Sequence, residues 1–373
     1  MSGVGPESGV SGVSGVSGVS GVSGVSGVSG VGYGGYGSPL VTDALIKHRD
    51  GIVGTSAGAF AIPVLPQENA ANLEHWEPWV RAEVLHFEML SHLHFTRHSD
   101  LGSKAVTLWH LLVNPGGTGG NFRRIATFHR PTEPILRAQL SWVENYADLR
   151  EDRASEILAQ LAPPVAFWST IVNLNPDRRH WTLELLDAAL SLAQHVEMRF
   201  KHALACRRPI EYSSQVQPMI LTPGHGTLPS GHATEAFIVA YVLWRLMRAA
   251  EPAKDRMWAH QLMHQANRIA INRTVAGVHF PIDSAAGQLL GITLGEYFVR
   301  RCLGTGNYRP KRFRGQNFTG NPDFNWALLF DTAVVNPGLQ AVPPPYADYF
   351  APLSPPKSLL LEWLWNQAVA EWP

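Results

Sequence analysis

The sequence predicts an all-α fold, a helical bundle. Several segments place apolar residues three and four positions apart, and the run from 180 to 205 does so with almost no helix breakers. His232 to Arg248 is apolar nearly all round, as expected of a helix at the centre of a core. Alternating, period-two patterns are sparse, so a layered sheet is not anticipated.

The elements follow in chain order. A Pro-rich stretch spans 63–97 and includes a helix over about Pro78 to Leu93. Residues 133–162 carry Leu136, Leu140, Val143 and Tyr146 at helical spacing. A short helix is expected from Pro164 to Leu174, stopped by Asn175-Pro176, because the residue before a proline disfavours helix. The long helix of 180–205 is followed by a Pro-, Ser- and Gly-rich loop from Arg208 to Leu228, and then by the central helix. Another helix runs from Asp255 to about Val275. Pro281 suits the first turn of the next, which reaches about Arg301. Residues 303–357, with Pro343-Pro344-Pro345 and Pro355-Pro356, read as loop. An amphipathic helix from Ser358 to Trp372 closes the chain. Its Leu360, Leu361, Trp363, Leu364, Trp365 and Trp372 suit core packing and leave a homo-oligomer interface open.

Composition bounds the function. The chain has 373 residues, enough for a sizeable core, and only 16% are charged. Lys plus Arg balance Asp plus Glu at 30 each, so no global field recruits nucleic acid and any anion chemistry must be local. Cys206 and Cys302 are no disulfide framework and read as buried thiols, in keeping with a reducing compartment or with indifference to it. The longest apolar run, Ala236 to Trp244, meets Arg245, whereas a membrane span needs about 20 residues. No signal peptide is visible, and a soluble, cytoplasmic protein without a transmembrane segment is expected. Residues 8–31 repeat Ser-Gly-Val eight times. The repeat lacks the proline of collagen, and it cannot bury enough surface to offset its chain entropy. A low-complexity tail over 1–37 and one helical domain over 38–373 are therefore expected.

The chemistry lies in 201–283, where polar residues collect at helix ends. Lys201 falls near the end of a long helix and Arg208 precedes Pro209. Ser230, Gly231 and His232 open the central helix. Arg273 is followed by His279 and Asp283. Taken singly, each has an ordinary reading: a solvated lysine, a turn, a loop histidine. Together they supply what one anionic centre needs. Lysine and arginine neutralise charge, and arginine's fork holds two oxygens. A helix start presents N–H groups, Ser230 adds a hydroxyl, and Gly231 permits close approach. His232 could carry a proton, His279 could attack or ligate the central atom, and Asp283 could fix the His279 tautomer.

These residues also carry a resemblance. KHALACRRP (201–209), PSGH (229–232) and NRTVAGVHFPID (272–283) are similar to the three-part motif shared by type-2 phosphatidic acid phosphatases (PAP2), class A acid phosphatases and vanadium-dependent haloperoxidases. Asn272 departs from it, since serine usually precedes that arginine. The resemblance implies the helical core of that superfamily. Lys201, Arg208, Ser230, Gly231 and Arg273 would hold the oxygens of vanadate or phosphate. His232 would be the acid–base residue, His279 the vanadium ligand or the phosphatase nucleophile, and Asp283 its orienting partner. His225 matches a position that tends to be histidine in brominating enzymes, whereas Met198 stands where tryptophan is usual. The expected activity is therefore a haloperoxidase with vanadate as cofactor. It would oxidise bromide or iodide with hydrogen peroxide, in the presence of a small organic acceptor. The alternative is a soluble acid phosphatase that forms a phospho-histidine on a phosphomonoester. His260 and His264 share a helix face but lack a metalloprotease glutamate, and HLHFTRH (92–98) reads as loop.

Overall fold

The apolar segment at the middle of the chain becomes the axis of the structure, a computed structural model that describes residues 39–54, 61–98, 105–114 and 119–372. The Ser-Gly-Val repeat and the rest of 1–37 lie outside the described residues. Four long helices form the core: α1 (His180–Leu204), α2 (Gly231–Ala250), α3 (Asp255–Val275) and α4 (Pro281–Leu303). Helix α2 packs against the other three and is buried along nearly its whole length. Pro281 takes the first turn of α4, where a missing N–H has no partner to lose. Gly304, at φ 64°, ends that helix in the left-handed conformation.

The fold is not all-α, which corrects the expectation from periodicity. A five-stranded mixed sheet has the order β1-β2-β3-β4-β7, built from β1 (Leu93–His98), β2 (Ala105–Val113), β3 (Gly120–His129), β4 (Lys311–Arg314) and β7 (Ala347–Tyr349). Strands β3 and β4 are parallel and the other pairs antiparallel. A second sheet pairs β5 (Phe330–Asp331) with β6 (Gly338–Leu339). Strand β2, AVTLWHLLV, is a nearly continuous apolar run, which periodicity alone does not separate from helix. HLHFTRH is mostly strand rather than loop: Leu93 and Phe95 pack on the core while His94 and Arg97 are exposed. Strands β4 to β7 span only two to four residues each, too short to show a period. Phe128 of β3 joins the sheet to α1 through Phe200, with ring centroids 4.7 Å apart.

Smaller differences concern breaks. The pattern over 133–162 resolves into Glu133–Ala138, Leu140–Tyr146 and Arg150–Ala159, and the helix expected from Pro164 shrinks to Val165–Ser169. The closing helix, Leu359–Ala370, buries Leu361, Leu364 and Trp365. Just beyond it, Glu371 accepts from the N–H groups of Trp181 and Thr182 and caps the start of α1. No helix among the described residues is long and apolar enough to cross a membrane. Cys206 and Cys302 are free and buried.

One packing contact sets the geometry of the site. Helix α4 carries Gly287, Gly291 and Gly295 at four-residue spacing, which puts all three on one face. That face lies directly on α2. A methyl group on Gly287 would meet the Ala233 Cβ at 2.7 Å and the Ser230 carbonyl at 2.8 Å; one on Gly291 would strike the Thr234 carbonyl and the Phe237 Cβ; one on Gly295 would press on Tyr241. The stripe brings the start of α2 against the start of α4, where the Ser230 N–H donates to the Asp283 carbonyl at 3.0 Å. Gly291→Ala should force the helices apart and destabilise the protein by about 1–3 kcal/mol, as overpacking does. Thermal unfolding checks this, and an unchanged Tm would show that the approach is not tight.

Candidate active site

Helix α1 stops at Ala205, which adopts the left-handed conformation at φ 49° and ψ 46°. The chain then reverses, and the Cys206 carbonyl accepts from the Thr227 N–H at 3.0 Å. Gly226 passes so close to the end of α1 that a side-chain carbon there would lie 2.9 Å from the Lys201 carbonyl. This reversal folds the loop 208–228 over the last turn of α1. Lys201 is buried there and donates to the carbonyls of Pro229 and Thr227.

Arg208 reaches inward from the same loop. Its Nε donates to the His225 carbonyl at 3.0 Å and its Nη1 to the Val278 carbonyl at 2.8 Å. Nη1 also lies 2.9 Å from the His279 Nε2, and Nη2 lies 3.2 Å from the His225 Nδ1. The far nitrogen of His279 is held as firmly: its Nδ1 lies 3.0 Å from Asp283 Oδ2. That oxygen also accepts from the Phe280 N–H at 2.9 Å and from the Thr227 hydroxyl at 2.5 Å. An anionic acceptor at Nδ1 fixes the tautomer, with the proton on Nδ1 and the lone pair of Nε2 toward Arg208.

His232 and Arg273 share Gln160. The His232 Nε2 donates to the Gln160 carbonyl at 3.0 Å, and the Gln160 Oε1 accepts from the Arg273 Nη2 at 2.9 Å and the Asn272 Nδ2 at 3.1 Å. The Arg273 Nε and Nη1 are buried and have no protein acceptor. Ser230 is the N-cap of α2, its hydroxyl accepting from the Ala233 N–H. His232 also borders a cleft that is mostly apolar, lined by Trp168, Leu183, Leu186, Val239 and Ile269, with Asp187 and Glu235 among its walls.

The electrostatics follow from burial. Desolvation pulls Lys201 down to about 8, and Arg208 and Arg273 down to about 10 each. All three still carry charge at neutral pH. Burial, reinforced by these cations, lowers His225 to about 4, His232 to about 3 and His279 well below the ordinary histidine range. Asp283 is raised by burial to about 6, against the pull of its hydrogen bonds and of Arg208, so it is ionised above that pH. The result is a buried, cationic cluster around neutral imidazoles, which favours an anion with several oxygens.

The structure thus gathers Arg208, His225, His279 and Asp283 into one network. It sets Lys201 on the Thr227 and Pro229 carbonyls and joins His232 and Arg273 through Gln160. Thr227 and Gln160 were missed as site residues. Thr227 lies within GHGTLPSGH, and its hydroxyl in a histidine-rich turn was a readable hint. Gln160 stands far from the motifs in sequence and carried no signal. Asn272 holds Gln160 and accepts from Arg153 at 3.0 Å, so it supports Arg273 at one remove. The His260 and His264 rings lie 4.2 Å apart, with His264 against Trp326 and the His260 Nδ1 3.2 Å from the Thr332 hydroxyl.

Two substitutions separate the two networks. Thr227→Val removes a donor from the Asp283–His279 pair and should lower turnover by about 10- to 100-fold, as loss of an orienting partner does. Gln160→Ala removes the acceptor that aims Arg273 and should instead weaken inorganic phosphate binding by about tenfold. Steady-state kinetics and phosphate titration of both variants read the two effects, and identical profiles would contradict the division of roles.

Residues 185–303 match the PAP2 superfamily. No curated protein matches the chain. Among solved structures it is similar to the first transmembrane PAP2-type phosphatidylglycerolphosphate phosphatase from Bacillus subtilis, at 19% identity over 44% of this chain and 84% of that one, with a TM-score of 0.37. The matched segment covers most of α1 and all of α2 to α4, with Lys201, Arg208, the PSGH turn, Arg273, His279 and Asp283, and over that stretch the chain is similar to the PAP2 superfamily.

Proposed function

We propose that the protein is a phosphatase that hydrolyses a phosphomonoester through a phospho-histidine on His279. The observation that carries this reading is the orientation of that ring: Asp283 holds Nδ1, so the Nε2 lone pair faces Arg208 and the cationic pocket. The PAP2 superfamily match over 185–303 supports the same chemistry.

The phosphoryl oxygens would lie among Lys201, Arg208, Arg273, Ser230 and the Gly231 N–H, which neutralise charge as the transition state forms. His279 Nε2 attacks phosphorus, a P–N bond forms and the ester P–O bond breaks. His232 gives its proton to the leaving oxygen. In the second half, His232 takes a proton from water as that water attacks phosphorus, and phosphate leaves. His232 is neutral in the free pocket, and a bound dianion beside it favours the proton-bearing form. The apolar cleft next to His232 suits the organic part of the substrate.

A second reading draws on His225, which sits on Arg208 at the edge of the pocket. The same donors fit vanadate, with His279 as its ligand, because five-coordinate vanadate has the shape of the phosphoryl-transfer transition state. Vanadate would supply peroxide activation for the oxidation of bromide or iodide.

The test assays both chemistries on one preparation: hydrolysis of an aryl phosphate without added metal, and bromination of a dione with peroxide and vanadate. Hydrolysis is expected to fall by about 10³-fold or more in His279→Ala and by about 10²- to 10⁴-fold in His232→Ala. Bromination without hydrolysis would reverse the order of the two readings.

A further inference from the structure

Glu197 lies on α1 one turn before Lys201, and its side chain is fully buried. Neither carboxyl oxygen has a hydrogen-bond partner. Its Oε1 lies 2.5 Å from the point where a side-chain carbon on Gly231 would stand, with Cδ at 3.3 Å. The carboxyl group therefore rests against Gly231, the first residue of α2, at the helix start proposed above to hold the anion. The charged groups that face it are Lys201 on α1, Arg208 from the following loop and Glu235 on α2, itself held by Gln194 at 3.2 Å.

An ionised carboxylate in this position would be desolvated, without donors, and opposed to any anion seated beside it. A neutral carboxylic acid has the opposite character, since its O–H needs an acceptor and an oxyanion supplies one. We propose that Glu197 is a further oxyanion-binding residue, a carboxylic acid that donates its O–H to the anion seated on Gly231. This rests on the reading of the pocket as an oxyanion site. Burial and the neighbouring Glu235 raise Glu197 well above the usual carboxyl range, against Lys201 and Arg208, which agrees with the neutral form.

The sign follows directly. Below the Glu197 pKa the acid is neutral and the anion binds. Above it, binding requires uptake of a proton, so affinity falls with rising pH by up to about tenfold per unit. Lys201 loses charge above about 8 and acts in the same direction, so the comparison must be made against a Glu197 variant. Glu197→Gln keeps a neutral donor that cannot ionise.

The experiment is calorimetric titration of the full chain with inorganic phosphate from pH 6 to 9, in two buffers of different ionisation enthalpy. Phosphate's own ionisation is common to every protein tested and cancels between them. The wild type is expected to take up protons that Glu197→Gln does not, and the variant should match it at low pH and bind about tenfold or more tightly at high pH. Glu235→Gln should shift the wild-type fall to lower pH, since removing the neighbouring charge eases ionisation of Glu197. Unchanged proton uptake in Glu197→Gln, or an unmoved pH profile in Glu235→Gln, would overturn the proposal while leaving the pocket an anion site. No phosphate binding by the wild type at any pH would overturn the oxyanion site itself.

Discussion

Lys201, Arg208 and Arg273 are each buried, and the cost of taking these cations out of water is the constraint on which the rest of the site depends. Three desolvated cations cost far more than a fold of ordinary stability can spare unless charge and acceptors surround them. The chain answers with carbonyl oxygens for Lys201 and Arg208, with Gln160 for Arg273, and with Asp283 among the histidines. Arg273 still keeps two nitrogens without acceptors. A pocket with positive charge to spare is one that an oxyanion completes.

The scaffold serves that constraint. The glycine face of α4 lets two helix starts meet, so the PSGH turn and the His279–Asp283 pair arrive from different segments at one place. The reversal after Ala205 returns the loop over Lys201. These are backbone features, and none depends on the identity of the substrate. The histidines are then set by what their far nitrogens touch: Asp283 for His279, the Gln160 carbonyl for His232, Arg208 and the Gly226 carbonyl for His225. Each partner gives its ring a different chemical face, although burial makes all three neutral alike.

Much of this was legible in the sequence, for a physical reason. Long buried helices repeat every three to four residues, and the end of α3 at Val275 and the start of α4 at Pro281 could be read from spacing and proline. The motif residues could be read because an oxyanion needs those side-chain types together. The sheet could not. β2 is apolar without alternation, and β4 and β7 span only four and three residues, too few to establish a pattern in sequence. Gln160 was invisible because a single amide gains its meaning only from the arginine it meets, more than a hundred residues away. Glu197 was overlooked for a related reason. On a helix the residue one turn before a motif lysine reads as core or solvated charge, and only packing shows that it touches Gly231.

The central claim is that His279 is a nucleophile in an oxyanion pocket. The most direct measurement is to quench turnover of a labelled aryl phosphate in base, where phospho-histidine survives, and to locate the label by peptide mass spectrometry. The account predicts label on His279, absent from His279→Ala. Label on His232, or steady hydrolysis with no labelled histidine at any time point, would contradict it.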